Sequence, residues 1–225
     1  MGTVASTNPE TPSGRSIWID VPDWAGNIAG QHVDVRLTAP DGYQASRSYS
    51  LASSGAAPRL QLAVDRLPDG EVSPYLVDDL QPGDMLELRG PLGGWFVWKE
   101  DQAQPVQLIA GGSGVVPLVA MIRAHAASGS TAPMQLLYSV RTPEDRFFAD
   151  ELEKLDTVTY AYTRSGPPDA TIGRLTKERL AAAVLPAGCA VFVCGPTGFV
   201  EAVATWLVDL GHDASLIKTE RFGGV

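Results

Sequence analysis

The sequence predicts two domains, an antiparallel β-barrel over residues 1–102 followed by a doubly wound α/β domain with a parallel sheet over residues 103–225. Three observations carry this prediction. A chain of 225 residues can bury two cores of ordinary size. Its first hundred residues read as short strands broken by turn chemistry, the pattern of a barrel. After Gln102-Ala103-Gln104-Pro105 the rhythm changes, and apolar runs alternate with helical patterns, as in a parallel sheet covered by helices.

The elements follow in order. Residues 1–14 lack the apolar stretch of a secretory signal, and although the first six fit a loose acylation pattern, a frayed terminus is the plainer reading. Strands are expected at 16–21, 31–38, 46–52, 59–64 and 85–89, separated by Pro-Asp-Gly or Gly-Asp breaks. A short helix is expected at 73–79, with Ser73 as cap and Pro74 in the first turn. In the second half, strands at 106–110, 134–140, 157–162, 190–194 and 214–219 alternate with helices at 115–127, 143–154, 176–184 and 198–210.

Composition limits the function classes. The chain is 44% hydrophobic and carries a formal charge of −9 with no basic run, which argues against nucleic acid or an anionic membrane as partner. No segment is apolar enough to span a bilayer, since the run 106–122 is interrupted by Gln107 and a Gly-Gly-Ser-Gly cluster. Cys189 and Cys194 are the chain's cysteines, and on one strand their odd separation points them to opposite faces, so a reduced, cytoplasmic setting is expected. Two thiols and scattered histidines provide no metal or iron–sulfur site.

Several short motifs carry chemistry. Gly111-Gly112-Ser113-Gly114-Val115-Val116-Pro117 follows an apolar strand and opens a helix, where backbone N–H groups can hold a pyrophosphate. Cys194-Gly195-Pro196-Thr197-Gly198 repeats that context near the last strand. Arg47-Ser48-Tyr49-Ser50 alternates on a strand, so Arg47 and Tyr49 share one face and the serines the other, which suits an anion beside an aromatic ligand. Asp69-Gly70-Glu71-Val72-Ser73 leads into a helix, a second anion site, and Gly90-Pro91-Leu92-Gly93-Gly94-Trp95-Phe96 is a Gly-rich bend with exposed aromatics. Each motif alone is matched by a plain structural alternative.

Taken together with a closing Glu220-Arg221-Phe222, these motifs resemble, in order and spacing, the ferredoxin-NADP reductase superfamily over essentially the whole chain. The resemblance implies a flavin-binding antiparallel barrel and a nicotinamide-binding α/β domain, with the flavin ring at their junction. Arg47 would then contact flavin phosphate, Tyr49 pack on the isoalloxazine, and Ser50 hydrogen-bond near its reactive nitrogen, with Ser48 in the same strand. Ala63, Val64 and Asp65 would line the flavin's other side. Gly70, Glu71, Val72 and Ser73 would hold a pyrophosphate, which favours FAD over FMN. Gly112, Ser113 and Gly114, with Pro117 closing the motif, would cradle the dinucleotide. Cys194, Gly195 and Pro196 would sit by the nicotinamide, while Glu220 and Phe222 close over it, so that Ser50, Cys194 and Glu220 form the expected catalytic set. Ser113 stands where relatives usually carry Thr, Trp95 where Phe is frequent, and Phe199 where Met is frequent. With Val225 last, no further lid is expected.

The implied activity is electron transfer from NADPH or NADH through FAD to a separate iron–sulfur or haem protein, such as a ferredoxin or oxygenase component. Two alternatives stand beside it: a flavin reductase or diaphorase acting on a small acceptor, and a non-catalytic nucleotide-sensing module. Arg141 and Ser139, at the end of the second parallel strand, could bind a 2′-phosphate, which leans toward NADPH; an Arg exposed in the turn that follows is the equal alternative.

Overall fold

The computed structural model describes residues 1–222 and places six antiparallel strands before five parallel ones. The antiparallel strands are β1 (Gly2–Thr11), β2 (Gly14–Asp20), β3 (His32–Thr38), β4 (Gln44–Ser50), β5 (Arg59–Asp65) and β6 (Met85–Leu92), in the order β4-β3-β6-β1-β2-β5. The sheet's two ends meet where Leu51 bridges Leu62 and the Ala52 amide donates to the Gln61 carbonyl at 2.8 Å, closing the barrel. Alternating Val33 and Val35, Ile17 and Ile19, and Leu60, Leu62 and Val64 fill its interior.

The N-terminal stretch is not frayed. β1 pairs with β2 through Thr3–Asp20 to Thr11–Gly14 and with β6 at Gly2 and Thr3. Its polar run Ser6-Thr7-Asn8 has no clean alternation because most of the strand is half-exposed or exposed. At 75–79 the expected helix is a short, wide π-type turn (Tyr75–Asp79). Ser73 does not cap it: the Ser73 Oγ accepts the Leu67 amide at 3.0 Å instead.

The parallel sheet contains β7 (Val106–Gly111), β8 (Met134–Val140), β9 (Val158–Tyr162), β10 (Ala190–Pro196) and β11 (Ile217–Phe222), in the order β11-β10-β7-β8-β9. The strand order therefore reverses between β7 and β10, the place where such sheets open a crevice at their carboxyl ends. Helices α1 (Val115–Ser128), α2 (Ala149–Leu152), α3 (Lys177–Ala183) and α4 (Thr197–Asp209) connect the strands. Two expectations need correction here. The helix expected at 143–154 is divided into a 3-10 turn (Pro143–Asp145) and α2, because Phe148 between them takes a left-handed backbone with φ of 56°. The strand expected at 214–219 is preceded by a 3-10 turn (Ala214–Leu216), which shifts β11 forward to Phe222.

The sheet's two faces bury separate clusters, with Cys194 in one and Cys189 in the other. The Cys194 cluster also takes in Ala29, Ala52, Ala63, Phe96 and Trp98 from the first domain, so α1 is packed directly against the barrel. Phe96 is accordingly buried, while Trp95 beside it is exposed. No helix among the described residues is long and apolar enough to cross a membrane. The final residues, where the absence of a lid was expected, lie outside the described residues.

Candidate active site

Two clefts open where β7 and β10 end beside the barrel. The first is walled by Arg47, Ser48, Tyr49 and Ser50 of β4, by Ala63, Val64 and Asp65 of β5, by Gly70, Glu71, Val72 and Ser73, and by Phe222. β4 keeps the expected alternation, with Arg47 and Tyr49 paired to Val35 and Val33 and Ser48 paired to Asp34, and residues of both its faces line the cleft. Burial pushes the Tyr49 phenol up to about 12. Ser48 donates to Asp34 at 2.6 Å. The Arg47 guanidinium is paired with Glu71, whose carboxylate also accepts the Tyr43 hydroxyl and is held below its ordinary range chiefly by that bond.

The second cleft is lined by Gly111, Gly112, Ser113 and Pro196 at the strand ends, and by Ser139, Arg141, Asp145, Thr163 and Phe147 farther out. The tip of the β1–β2 hairpin, Thr11 and Ser13, forms its barrel-side wall, and Ser13 donates to Asp65 at 2.7 Å. Sequence reasoning missed this wall because nothing local in Thr11-Pro12-Ser13 marks it. Asp65, Ser113 and Phe222 line both clefts, so the two open onto one another.

Glycines make the junction possible. A Cβ on Gly114 would stand 2.2 Å from the Cys194 carbonyl oxygen and 2.8 Å from the Gly195 nitrogen, so α1 begins in backbone contact with the end of β10. Gly112 adopts φ of +55° with open space beside it. Pro117, by contrast, is buried in the first turn of α1 and faces neither cleft.

Beneath the junction, parallel pairing sets Cys194 of β10 against Glu220 of β11. Cys194 is 1% exposed, and burial first, then the Glu220 charge, raise its thiol well above the ordinary range. Glu220 Oε2 is buried with no hydrogen-bond partner among the described residues, and burial pushes the carboxyl up to about 7. His32 Nδ1 of β3 lies 3.9 Å from Glu220 Oε1 across the domain junction.

The family model described as an oxidoreductase FAD-binding domain matches residues 21–97, and the one described as an oxidoreductase NAD-binding domain matches residues 108–205. Ferredoxin--NADP reductase B of Sorangium cellulosum is 36% identical over 210 residues, covering 86% of this chain and 84% of that protein. The chain belongs to the ferredoxin-NADP reductase superfamily. The glycine betaine monooxygenase reductase subunit of Chromohalobacter salexigens is 34% identical over 206 residues, 86% of this chain and 55% of that protein. The flavohem-like FAD/NAD-binding domain of nitric oxide dioxygenase from Vibrio cholerae superposes with a TM-score of 0.89 at 26% identity, covering 99% of this chain and 98% of that one. The chain spans about half the length of several curated relatives it matches.

The residues present fit the cofactors of this family, FAD and a nicotinamide dinucleotide. The amides of Glu71 and Val72 donate to no acceptor among the described residues, leaving donors beside Arg47 for phosphate oxygens. The tight Gly114 approach brings the opening of α1 to the edge of the second cleft, a suitable place for a pyrophosphate.

Proposed function

We propose that this chain takes electrons from a reduced nicotinamide dinucleotide in the second cleft and delivers them, through FAD in the first, to a separate one-electron acceptor protein of the iron–sulfur or haem kind. The observation that carries the reading is the shared wall of Asp65, Ser113 and Phe222, which puts the two clefts within reach of one another. When bound, the nicotinamide supplies a hydride and the flavin accepts it and can release electrons singly.

The chain's residues bind, orient and exclude water. In this reading Arg47 exchanges Glu71 for flavin phosphate, the 70–73 turn supplies backbone donors, and Tyr49, Ala63 and Val64 flank the ring while Ser48 braces β4 through Asp34. Ser50 donates toward the reacting edge, and the turn Gly112-Ser113-Gly114 holds the dinucleotide, with Pro117 fixing the helix behind it. Gly195 and Pro196 border the nicotinamide. Phe222 shields it from water, and Cys194 with Glu220 forms the floor, where Glu220 keeps a proton near neutral pH. Delivery to a protein partner is supported by the relative named as a glycine betaine monooxygenase reductase subunit. A cytoplasmic setting belongs to the same proposal and is supported by Cys189 and Cys194 standing as buried, separate thiols.

The test is an anaerobic titration of the FAD-reconstituted protein with NADH and with NADPH, followed by mixing with cytochrome c. Bleaching of the bound-flavin band and reduction of cytochrome c are expected. Bound flavin that neither nucleotide reduces overturns the proposal.

A further inference from the structure

Where a sheet of this kind binds the adenosine half of a dinucleotide, an acid at the end of the second strand selects a free ribose 2′-hydroxyl, and a cation selects a 2′-phosphate. β8 ends Tyr138-Ser139-Val140 and is followed by Arg141, with no acid at that position. The fold brings one back. Asp145, in the 3-10 turn that follows, returns to the cleft and accepts Arg141 Nη2 at 2.7 Å through Oδ1. Its other oxygen, Oδ2, accepts the Thr142 amide and the Thr142 hydroxyl, each at 3.1 Å, in a capping box. Asp145 is therefore held by three hydrogen bonds and its side chain is 18% exposed, whereas Arg141 is 50% exposed.

The charge balance of the cleft follows. Among the described residues its lining holds one cation, Arg141, and two carboxylates, Asp145 and Asp65. A 2′-phosphate would have to compete with a fixed carboxylate for a guanidinium already paired, beside a second acid. The neighbouring Arg164 is exposed and lies outside the lining; its amide is spent on the Arg141 carbonyl at 2.9 Å, which ties the 163–165 turn to β8 without adding a charge to the cleft. A ribose diol, by contrast, has donors that the Asp145 carboxylate can accept, and it brings no charge.

We infer that Asp145 is the specificity residue of the dinucleotide cleft and that it sets this chain for NADH over NADPH by holding Arg141 neutralised. This revises the lean toward NADPH taken from Arg141 and Ser139 alone. It rests on the reading of the second cleft as the dinucleotide site, and the experiment separates the two.

The FAD-loaded protein is titrated with 5′-AMP and 2′-AMP by calorimetry, and kcat/KM is measured with NADH and NADPH. The wild type is expected to bind 5′-AMP in preference to 2′-AMP and to favour NADH by at least tenfold. Asp145→Asn keeps the size and one acceptor of the capping box while freeing Arg141. It is expected to shift both ratios at least tenfold toward the 2′-phosphorylated ligand. Adding Arg141→Gln to that variant is expected to reverse the gain, which a general loosening of the turn would not do. Equal use of both nucleotides by the wild type, or unchanged ratios in Asp145→Asn, overturns the inference and leaves the reductase reading intact. Reduction by neither nucleotide overturns the reductase reading and the inference together.

Discussion

Glu220 shows how one side chain can report the state of the junction. Its carboxyl ionises at about 7 in the folded chain because burial disfavours the charged form. A carboxyl with a raised folded-state value stabilises the fold relatively at low pH, where it is protonated in both states, and that advantage is lost as pH rises from the unfolded value through the folded one. The loss is on the order of 2 kcal/mol between about pH 4.5 and 7 for a side chain that keeps some contact with water. His212 runs the other way, since burial lowers its value and stability falls as pH drops. Denaturant unfolding of the wild type and Glu220→Gln at several pH values separates them: the difference between the two proteins should fall steadily from pH 7 to 5 and vanish below. A pH-independent difference would refute the buried-acid account. At Gly114 the issue is space. The backbone there is helical, with φ of −61°, so Gly114→Ala meets no conformational penalty, only the Cys194 carbonyl 2.2 Å away. Backbone cannot yield as a side chain can, and about 1–3 kcal/mol of destabilisation is expected. The same variant should weaken dinucleotide binding at least tenfold, read by calorimetry.

Among elements, those with a strong period were legible and those set by tertiary contact were not. β7, β8 and β10 are mainly apolar runs because both faces are buried, and each was readable to within a residue or two. β1 was not, because a hairpin strand of Ser, Thr and Asn that pairs mainly with β2 has no hydrophobic alternation to show. The break in the helix expected at 143–154 was equally hidden. Phe148 is 6% exposed, it receives the Arg123 guanidinium over its ring at 5.1 Å, and its amide donates to Glu10 at 2.9 Å. Those contacts hold a left-handed backbone that costs about 1–2 kcal/mol for a residue with a Cβ. Phe148→Gly would relieve that cost but lose an aromatic burial of about 3–5 kcal/mol. Burial wins, so thermal unfolding should show a less stable protein; a rise in Tm would mean the strain outweighs the packing.

At the scale of the whole molecule, the clefts matter only if the two domains hold a fixed relation, and no motif announces what fixes it. Of the residues that line the clefts, those written as local motifs were legible, such as Arg47 to Ser50 and Gly111 to Ser113. The hairpin wall at Thr11 and Ser13 and the domain clamp are juxtapositions across the fold and left no local signature, whereas Asp145 is held locally, by the Thr142 capping box and the Arg141 pair four residues back. The clamp is Arg123 of α1. Its Nη1 donates to the Ala52 carbonyl at 2.9 Å and to Gln61 Oε1 at 2.6 Å in the barrel, while its other nitrogens hold Glu151 beside α1. Gln61 is 4% exposed, so removing the guanidinium leaves its amide oxygen and a main-chain carbonyl without that donor. Arg123→Met keeps much of the aliphatic bulk and should cost about 1–3 kcal/mol, a Tm decrease of roughly 2–12 °C for a chain of this size. Lys cannot replace the planar fork that reaches barrel and helix at once, so Arg123→Lys should recover little. Because Arg123 touches neither cleft, both variants should retain stoichiometric FAD and the wild-type KM for nucleotide, yet reduce the flavin at least threefold more slowly in stopped-flow absorbance, as hydride transfer depends on the alignment of the two domains. A loss of stability with an unchanged reduction rate would make Arg123 a structural contact alone and would assign domain alignment to the apolar packing of α1 on Ala52, Ala63 and Phe96.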